Sequence, residues 1–258
     1  NSDADHFNMT DFHVYSTDLA CWPVTDHGEI LNIKDVPWAS KQMWAPDIAY
    51  KNNKYYFYFP ARDMSNNFRI GVATSVAPTG PFKAEAQPIA GSSTIDPAVF
   101  VDDDGATYMY FGGKQAGQLP DSATGPRMAK LSDDMLSFSG AVTDLKINGA
   151  STTNSNFFEG SWVHKYKGTY YLSYSTGPTH LLAWASGTSP QGPFTYKGTL
   201  LSAVSSGWTT HHSIIEFNGK WYLFYADSTC SGGVTQRRCV KVQEFTYKSD
   251  GSLPTLSP

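Results

Sequence analysis

A turn containing Asn, Asp or Gly followed by an aromatic-rich strand recurs four times along this chain, as YKNNKYYFYF, VDDDGATYMYF, HKYKGTYYLSY and EFNGKWYLFY. Aligned on Tyr56, Tyr108, Tyr171 and Tyr222, the copies stand 52, 63 and 51 residues apart. Each reads as a hairpin, with an apolar strand, a tight turn and an alternating aromatic strand. The spacing is close to the roughly 40–50 residues of a four-stranded propeller blade with its loops.

A second pattern follows each hairpin: a short alternating strand, then a turn rich in Ser, Thr, Asp and Pro. Its copies are FRIGVATSVAPTGPFKA, PRMAKLSDDMLSFSG and HLLAWASGTSPQGPFTY, with FHVYSTDLACWPVTDHG near the start and CVKVQEFTYKSDGSL near the end. These read as third and fourth strands of a blade. Four first halves and five second halves predict an all-β, five-bladed β-propeller forming one domain over 1–258. The first half of the first blade is then missing from this chain. A β-sandwich with an irregular start is the alternative, and the matched spacings favour the propeller.

Composition agrees. Aromatics make up 14 % and charged residues 16 %, with 22 Gly and 15 Pro, as short strands and many turns require. The net charge of −4 comes from interspersed acids and bases, so there is no basic stripe for nucleic acid. No apolar run approaches the length of a membrane span. Cys230 and Cys239 flank CSGGVTQRRC, a spacing that a hairpin can bridge; a disulfide there implies an oxidising compartment and secretion. Cys21 is left over, which points to a free thiol or an absent partner.

In a propeller, ligands bind where the innermost strands and their loops converge at one end of the axis. The boxes before each hairpin turn are WAPDIAY, IDPAVFVDDDG, FFEGSWVHKYKG and TTHHSIIEFNG. Each sets a polar or ionisable group among apolar neighbours, where a charge is expensive to hold for stability alone. Glu159 lies between Phe157, Phe158 and Trp162, surroundings that disfavour its charged form and suit a general acid. The competing reading is a salt-bridged Glu at a strand end. Asp96 precedes Pro97, which predicts an extended backbone and a fixed carboxylate. Asp102, Asp103 and Asp104 before Gly105 read as the hairpin turn. Asp47 faces the channel in this reading, and Trp44 offers a flat face for a sugar ring. Only one of His211 and His212 can point inward, because neighbours on a strand alternate faces. Arg238 can hydrogen-bond sugar hydroxyls or a carboxylate.

The boxes WAPD, IDPAVFVDDDG, EGSW before an aromatic hairpin, HHS, and Arg238-Cys-Val-Lys-Val resemble glycoside hydrolase family 43, in order and over essentially the whole chain. The resemblance implies inverting exo-hydrolysis of β-D-xylosyl or α-L-arabinofuranosyl residues of xylo-oligosaccharides, arabinose-decorated xylan or arabinan. It implies Glu159 as general acid and Asp96 as the residue tuning and orienting it. It also implies His211 as the axial metal-site histidine, associated with Ca2+. Trp44 and Arg238 match pocket positions, and Phe100 lies near the pocket. The family's general base, an Asp on the first inner strand, has no match here; Asp3 and Asp5 do not correspond to it. The base is therefore expected on a separate N-terminal fragment completing the first blade. A non-catalytic sugar-binding propeller and a retaining fructosidase-type propeller are the alternatives.

Overall fold

The computed structural model describes residues 7–19, 23–114, 119, 123–208 and 210–258. Cys21, Asp3 and Asp5 lie outside the described residues. The first elements are β1 (Asp11–Ser16) and β2 (Thr25–Asn32), which pair as a two-stranded antiparallel ribbon; β3 (Ala39–Lys41) is short. The next sheet holds β4 (Asp47–Lys51), β5 (Lys54–Asp63), β6 (Phe68–Ser75) and β7 (Lys83–Ala84), with β3 against the far end of β5. A third contains β8 (Ala98–Val101), β9 (Thr107–Phe111), β10 (Arg127–Lys130) and β11 (Thr143–Asp144). After β12 (Ile147–Asn148) comes the sheet of β13 (Phe157–Tyr166), β14 (Thr169–Thr176), β15 (Leu182–Gly187) and β16 (Phe194–Leu201). The last sheet has three strands, β17 (His212–Phe217), β18 (Lys220–Asp227) and β19 (Cys239–Phe245).

The four repeats are the inner hairpins of these last four sheets. Three close on two residues with positive φ: Asn52-Asn53, Lys167-Gly168 and Asn218-Gly219. That pair of left-handed residues makes a type I′ turn, whose twist matches the strands it joins. The inner strands then follow one another around an axis, β4 beside β8, β8 beside β13, and β13 beside β17. The fold is all-β and propeller-like, with four blades. Asp11–Asn32 forms only the ribbon, and the last repeat departs from expectation. CVKVQEFTYKSDGSL supplies the third strand β19 but no fourth. The chain instead turns back on the preceding blade, where the Leu256 amide donates to the Leu200 carbonyl at 2.7 Å.

Alternation along each second strand feeds two different cores. On β5, Phe57 and Phe59 pack toward Phe12, Leu31 and Trp38, while Tyr56 and Tyr58 join Met109 and Phe111 of the next blade. On β9, Tyr108 and Tyr110 face the third core with Leu172 and Tyr174. On β14, Tyr171 turns the other way, to Leu223, Tyr225 and Tyr247. Burying each such ring contributes about 1.5–3 kcal/mol. Their hydroxyls are satisfied by carbonyls of the next blade's outer loops: Tyr58 donates to Met135, Tyr110 to Pro190 and Tyr171 to Gly251, at 2.8, 2.6 and 2.6 Å.

The last core also holds a histidine. His164 of β13 is buried between Tyr171 and Trp221, with Nε2 hydrogen-bonded to the Tyr247 hydroxyl. Burial pushes its pKa down to about 3. The unfolded imidazole takes a proton near its ordinary 6.5 while the folded one stays neutral, so stability falls as pH drops from that value toward 3. His164→Gln, whose amide can still meet Tyr247, should flatten the stability profile between pH 6 and 4 by up to about 1.4 kcal/mol per pH unit. Urea unfolding of both proteins across that range measures it, and parallel profiles would refute the assignment.

Candidate active site

The starts of the inner strands converge on one open pocket. Trp44 enters from the segment before β4, Asp96 from the loop before β8, and Glu159 from the beginning of β13. His211 stands immediately before β17 and Arg238 immediately before β19; all five line the cavity. The sequence reading brought these five together. Phe7 and Ile95 also line it. Ile95 could have been found as the neighbour of Asp96, whereas Phe7 carried no signal. It is seated by the Trp44 indole, whose Nε1 donates to the Phe7 carbonyl at 2.8 Å while the ring packs 4.6 Å from Phe68.

The backbone is unusual wherever it delivers a carboxylate. Glu159 sits between two register shifts in the β13–β14 ladder, and Gly160 after it has φ +63°. Such a bulge re-aims side chains that regular alternation would send elsewhere. Glycine is needed at 160, since a Cβ there would stand 3.3 Å from His211 Nδ1. Asp96 overturns the expectation of extended backbone: its φ is +58°, two residues after Thr94 at +66°. Left-handed backbone at a residue other than glycine costs about 1–3 kcal/mol and persists only where the surroundings over-determine it. Here the Gly112 amide holds the Ile95 carbonyl at 2.8 Å and Gly113 holds Thr94 Oγ1 at 3.2 Å.

Three ionisable groups meet in the pocket. His211 Nε2 is 3.7 Å from Asp96 Oδ2 and 3.6 Å from Glu159 Oε1. Both carboxylates are buried, at 4 % and 2 % exposure, and those two oxygens have no hydrogen-bond partner among the described residues. Burial raises Asp96 to about 7; the Glu159 charge adds to this, while His211, the Gly160 amide and Arg238 oppose it. Burial pulls His211 down, but Asp96 and Glu159 together outweigh it and hold the imidazole above its ordinary value. Asp96 and His211 are thus each held above their ordinary values by their surroundings. A buried carboxyl pair beside an imidazole, open to a pocket, is an arrangement suited to acid catalysis.

The model for glycosyl hydrolases family 43 matches residues 3–253. The chain belongs to glycoside hydrolase family 43. It is 49 % identical to xylosidase/arabinosidase 43A of Humicola insolens, over all of this chain and 89 % of that protein. It superimposes with a TM-score of 0.92 on CoXyl43, a family 43 β-xylosidase/α-arabinofuranosidase from a compost microbial metagenome, solved with xylotriose in calcium-free form. That structure is 52 % identical, and the match covers all of this chain and 86 % of the other. The Xanthomonas citri GH43_1 enzyme complexed with xylotriose gives 0.93 at 46 % identity, covering 99 % and 84 %.

Two expected pocket residues of this family 43 chain lie elsewhere. Phe100 packs edge-to-face on Tyr170 at 5.9 Å, against the core between two blades. Asp47 accepts hydrogen bonds from the Val99 amide at 2.6 Å and the Ile48 amide at 2.8 Å, tying β4 to β8. Both its oxygens are therefore used by backbone, and burial raises its pKa to about 7. His212 turns away from His211, its Nε2 2.6 Å from Ser173 Oγ. Asp102 anchors its hairpin turn to the next blade through Lys165 Nζ at 2.8 Å and the Tyr170 hydroxyl at 2.6 Å. The Cys230–Cys239 disulfide closes the loop that presents Arg238.

Replacing Asp96 by Asn removes the larger of the two negative charges acting on His211. The His211 titration midpoint, followed by NMR of the imidazole, should move down relative to wild type. A midpoint that stays or rises would show that Asp96 does not set the charge of this cluster.

Proposed function

We propose that this family 43 hydrolase removes terminal β-D-xylosyl or α-L-arabinofuranosyl residues from hemicellulose fragments with inversion, using Glu159 as general acid. One observation carries the reading: a buried Glu159 shares an open pocket with Asp96 and His211, and all three titratable atoms lie within 4.8 Å of one another. The relatives' activities and the two xylotriose complexes support the substrate class. Glu159 delivers its proton to the glycosidic oxygen as the bond to the anomeric carbon breaks. Trp44 offers the sugar a ring face, and Arg238 offers hydroxyl contacts.

Asp96 is a positioning residue in this scheme. An inverting pair needs about 6.5–9.5 Å between carboxyls to admit the attacking water. Asp96 is too close to Glu159 for that, so it holds charge and orientation around the acid. The base is proposed to come from inner strands of a fifth blade whose outer part is the β1–β2 ribbon, on a separate N-terminal segment. Two features support this. Among the described residues β17 and β4 have no contact comparable to those between the other inner strands. Ile48 and Tyr50 on β4 and Ile215 on β17 are exposed apolar side chains.

Calcium belongs to the proposal in a restricted form. Among the described residues, Asp96, Glu159 and His211 are the one group of three or more that could hold a metal. Two carboxylates and an imidazole fall short of the six to eight oxygens, about 2.3–2.6 Å away, that Ca2+ prefers. Direct ligation would also keep Glu159 ionised. The donor set fits Ca2+ only through water, with His211 facing the hydrated ion. Chelation should then lower the melting temperature by a few degrees and calcium restore it; an unchanged melting curve counts against the ion. Secretion is proposed from the disulfide, which persists in oxidising compartments.

Glu159→Gln tests the acid. The amide cannot donate the proton, so hydrolysis of xylobiose should fall by about 10²–10⁴-fold, the usual worth of a general acid. Dinitrophenyl xyloside, whose leaving group departs without protonation, should lose far less. Equal losses on both substrates would remove Glu159 from the acid role. A wild-type protein supplied with its N-terminal segment that binds xylose but cleaves neither substrate would favour a sugar-binding propeller.

A further inference from the structure

We infer that the Cys230–Cys239 bond and the Ser231 hydroxyl are positioning elements that hold Arg238 at the pocket and so set the affinity for the sugar. The inference rests on the pentosidase reading and deepens it with residues outside the pocket. Arg238 lines the cavity that holds Glu159, Asp96 and His211. It arrives there on the loop between β18 and β19, one residue beyond the last rung of their ladder, where Asp227 pairs with Cys239. Backbone pairing therefore stops just short of the residue whose placement matters. Packing does not supply the missing rigidity. None of residues 229–238 is buried, and none belongs to a hydrophobic core.

What holds the loop is covalent and polar. The disulfide fastens its two ends together immediately beside Arg238, and the Cys230 amide lies 3.0 Å from Cys239 Sγ. Ser231 comes next, with its hydroxyl in reach of three carbonyls: Ser228 at 3.0 Å, Val234 at 3.2 Å and Arg237 at 2.8 Å. A hydroxyl has one proton to give, and its shortest contact is to the residue that precedes Arg238. The base of the loop is anchored in turn. The buried Ser228 donates its amide to the Ser206 carbonyl at 3.2 Å, and Asp227 Oδ1 accepts from the Thr229 amide and hydroxyl at 3.1 and 2.9 Å. A short closed loop has few alternative shapes, so little ordering remains when the sugar binds. Opening the bond leaves only water-exposed hydrogen bonds, each of modest worth. The apparent affinity then falls by the fraction of time that Arg238 is out of place.

The test measures xylose binding by calorimetry on the protein with its N-terminal segment supplied. Arg238→Ala should raise the Kd about tenfold, the scale of one charged hydrogen bond. Cys230→Ser with Cys239→Ser should raise it about fivefold, and Ser231→Ala about twofold. Ser231→Ala keeps the disulfide, so it carries the same test if the cysteine variant does not fold. A bond that only stabilised the fold would lower the melting temperature and leave the Kd of the folded protein unchanged. In an Arg238→Ala background, loss of the bond should add nothing further to the Kd. An unchanged Kd in both loop variants, or effects that add to that of Arg238→Ala, overturns the inference. Trypsin reads the loop without any sugar, because it cleaves after Arg237 and Arg238. Well below the melting temperature, the cysteine variant should be cut there about tenfold faster than wild type. Equal cleavage rates overturn the positioning role. A wild-type protein that binds no xylose, with a loop that still opens to trypsin when the bond is lost, overturns the pentosidase reading and leaves the loop's hold on Arg238 standing.

Discussion

Three blades of this protein are each sandwiched between two cores, and that constraint organises much of the rest. Successive side chains on a strand point to opposite faces, and here both faces meet another layer of protein. The Tyr and Phe runs of β5, β9 and β14 therefore serve two cores at once. An ordinary half-exposed strand would alternate apolar with charged residues. These strands alternate one aromatic with another. The tyrosines add directionality, because each buried hydroxyl needs a carbonyl and finds it in the loops of the adjoining blade.

Radial packing of this kind leaves little freedom within the blades and much at the ends of the inner strands. Several departures from regular structure lie there: the β13 bulge at Glu159, the left-handed Gly160 after it, and the left-handed Thr94 and Asp96 on either side of Ile95. Rigid sheets on either side can bear the local strain, since the backbone hydrogen bonds around Ile95 and Thr94 hold the loop in its shape. The consequence is chemical. Two carboxylates and an imidazole are forced into a volume where none can relax away from the others, and Asp96 and His211 are both held above their ordinary pKa values.

Much of this was legible in the sequence because it rests on periodic, local signals. The recurring hairpins follow from Asn-Gly-type turns beside aromatic strands, and their spacing from the length of a blade. Asp96, Glu159, His211 and Trp44 stood out as polar or flat side chains at the ends of inner strands and Arg238 as the opening of the final one, and the structure gathers all five. Asp47 carried the same signal and Phe100 entered through the family resemblance, yet neither lines the pocket. Whether a strand-end residue faces the axis or a neighbouring blade depends on which partner's amide or ring is closest. For Asp47 that partner is Val99, and for Phe100 it is Tyr170.

The sequence by itself determined the repeat, the all-β propeller-like fold, the disulfide pair and the identities of the pocket's polar groups, because turn chemistry and alternation act over a few residues; it predicted five blades where the described residues form four. Tertiary structure alone decided the left-handed backbone of Asp96, which opposes the local preference set by Pro97. It decided the return of the chain's last residues to the preceding blade rather than to a fourth strand. It also decided the seating of Phe7 against Trp44 at the pocket, a contact that no motif announced. Those outcomes depend on contacts between segments remote from one another in the chain, and no local rule encodes the energy of such a contact.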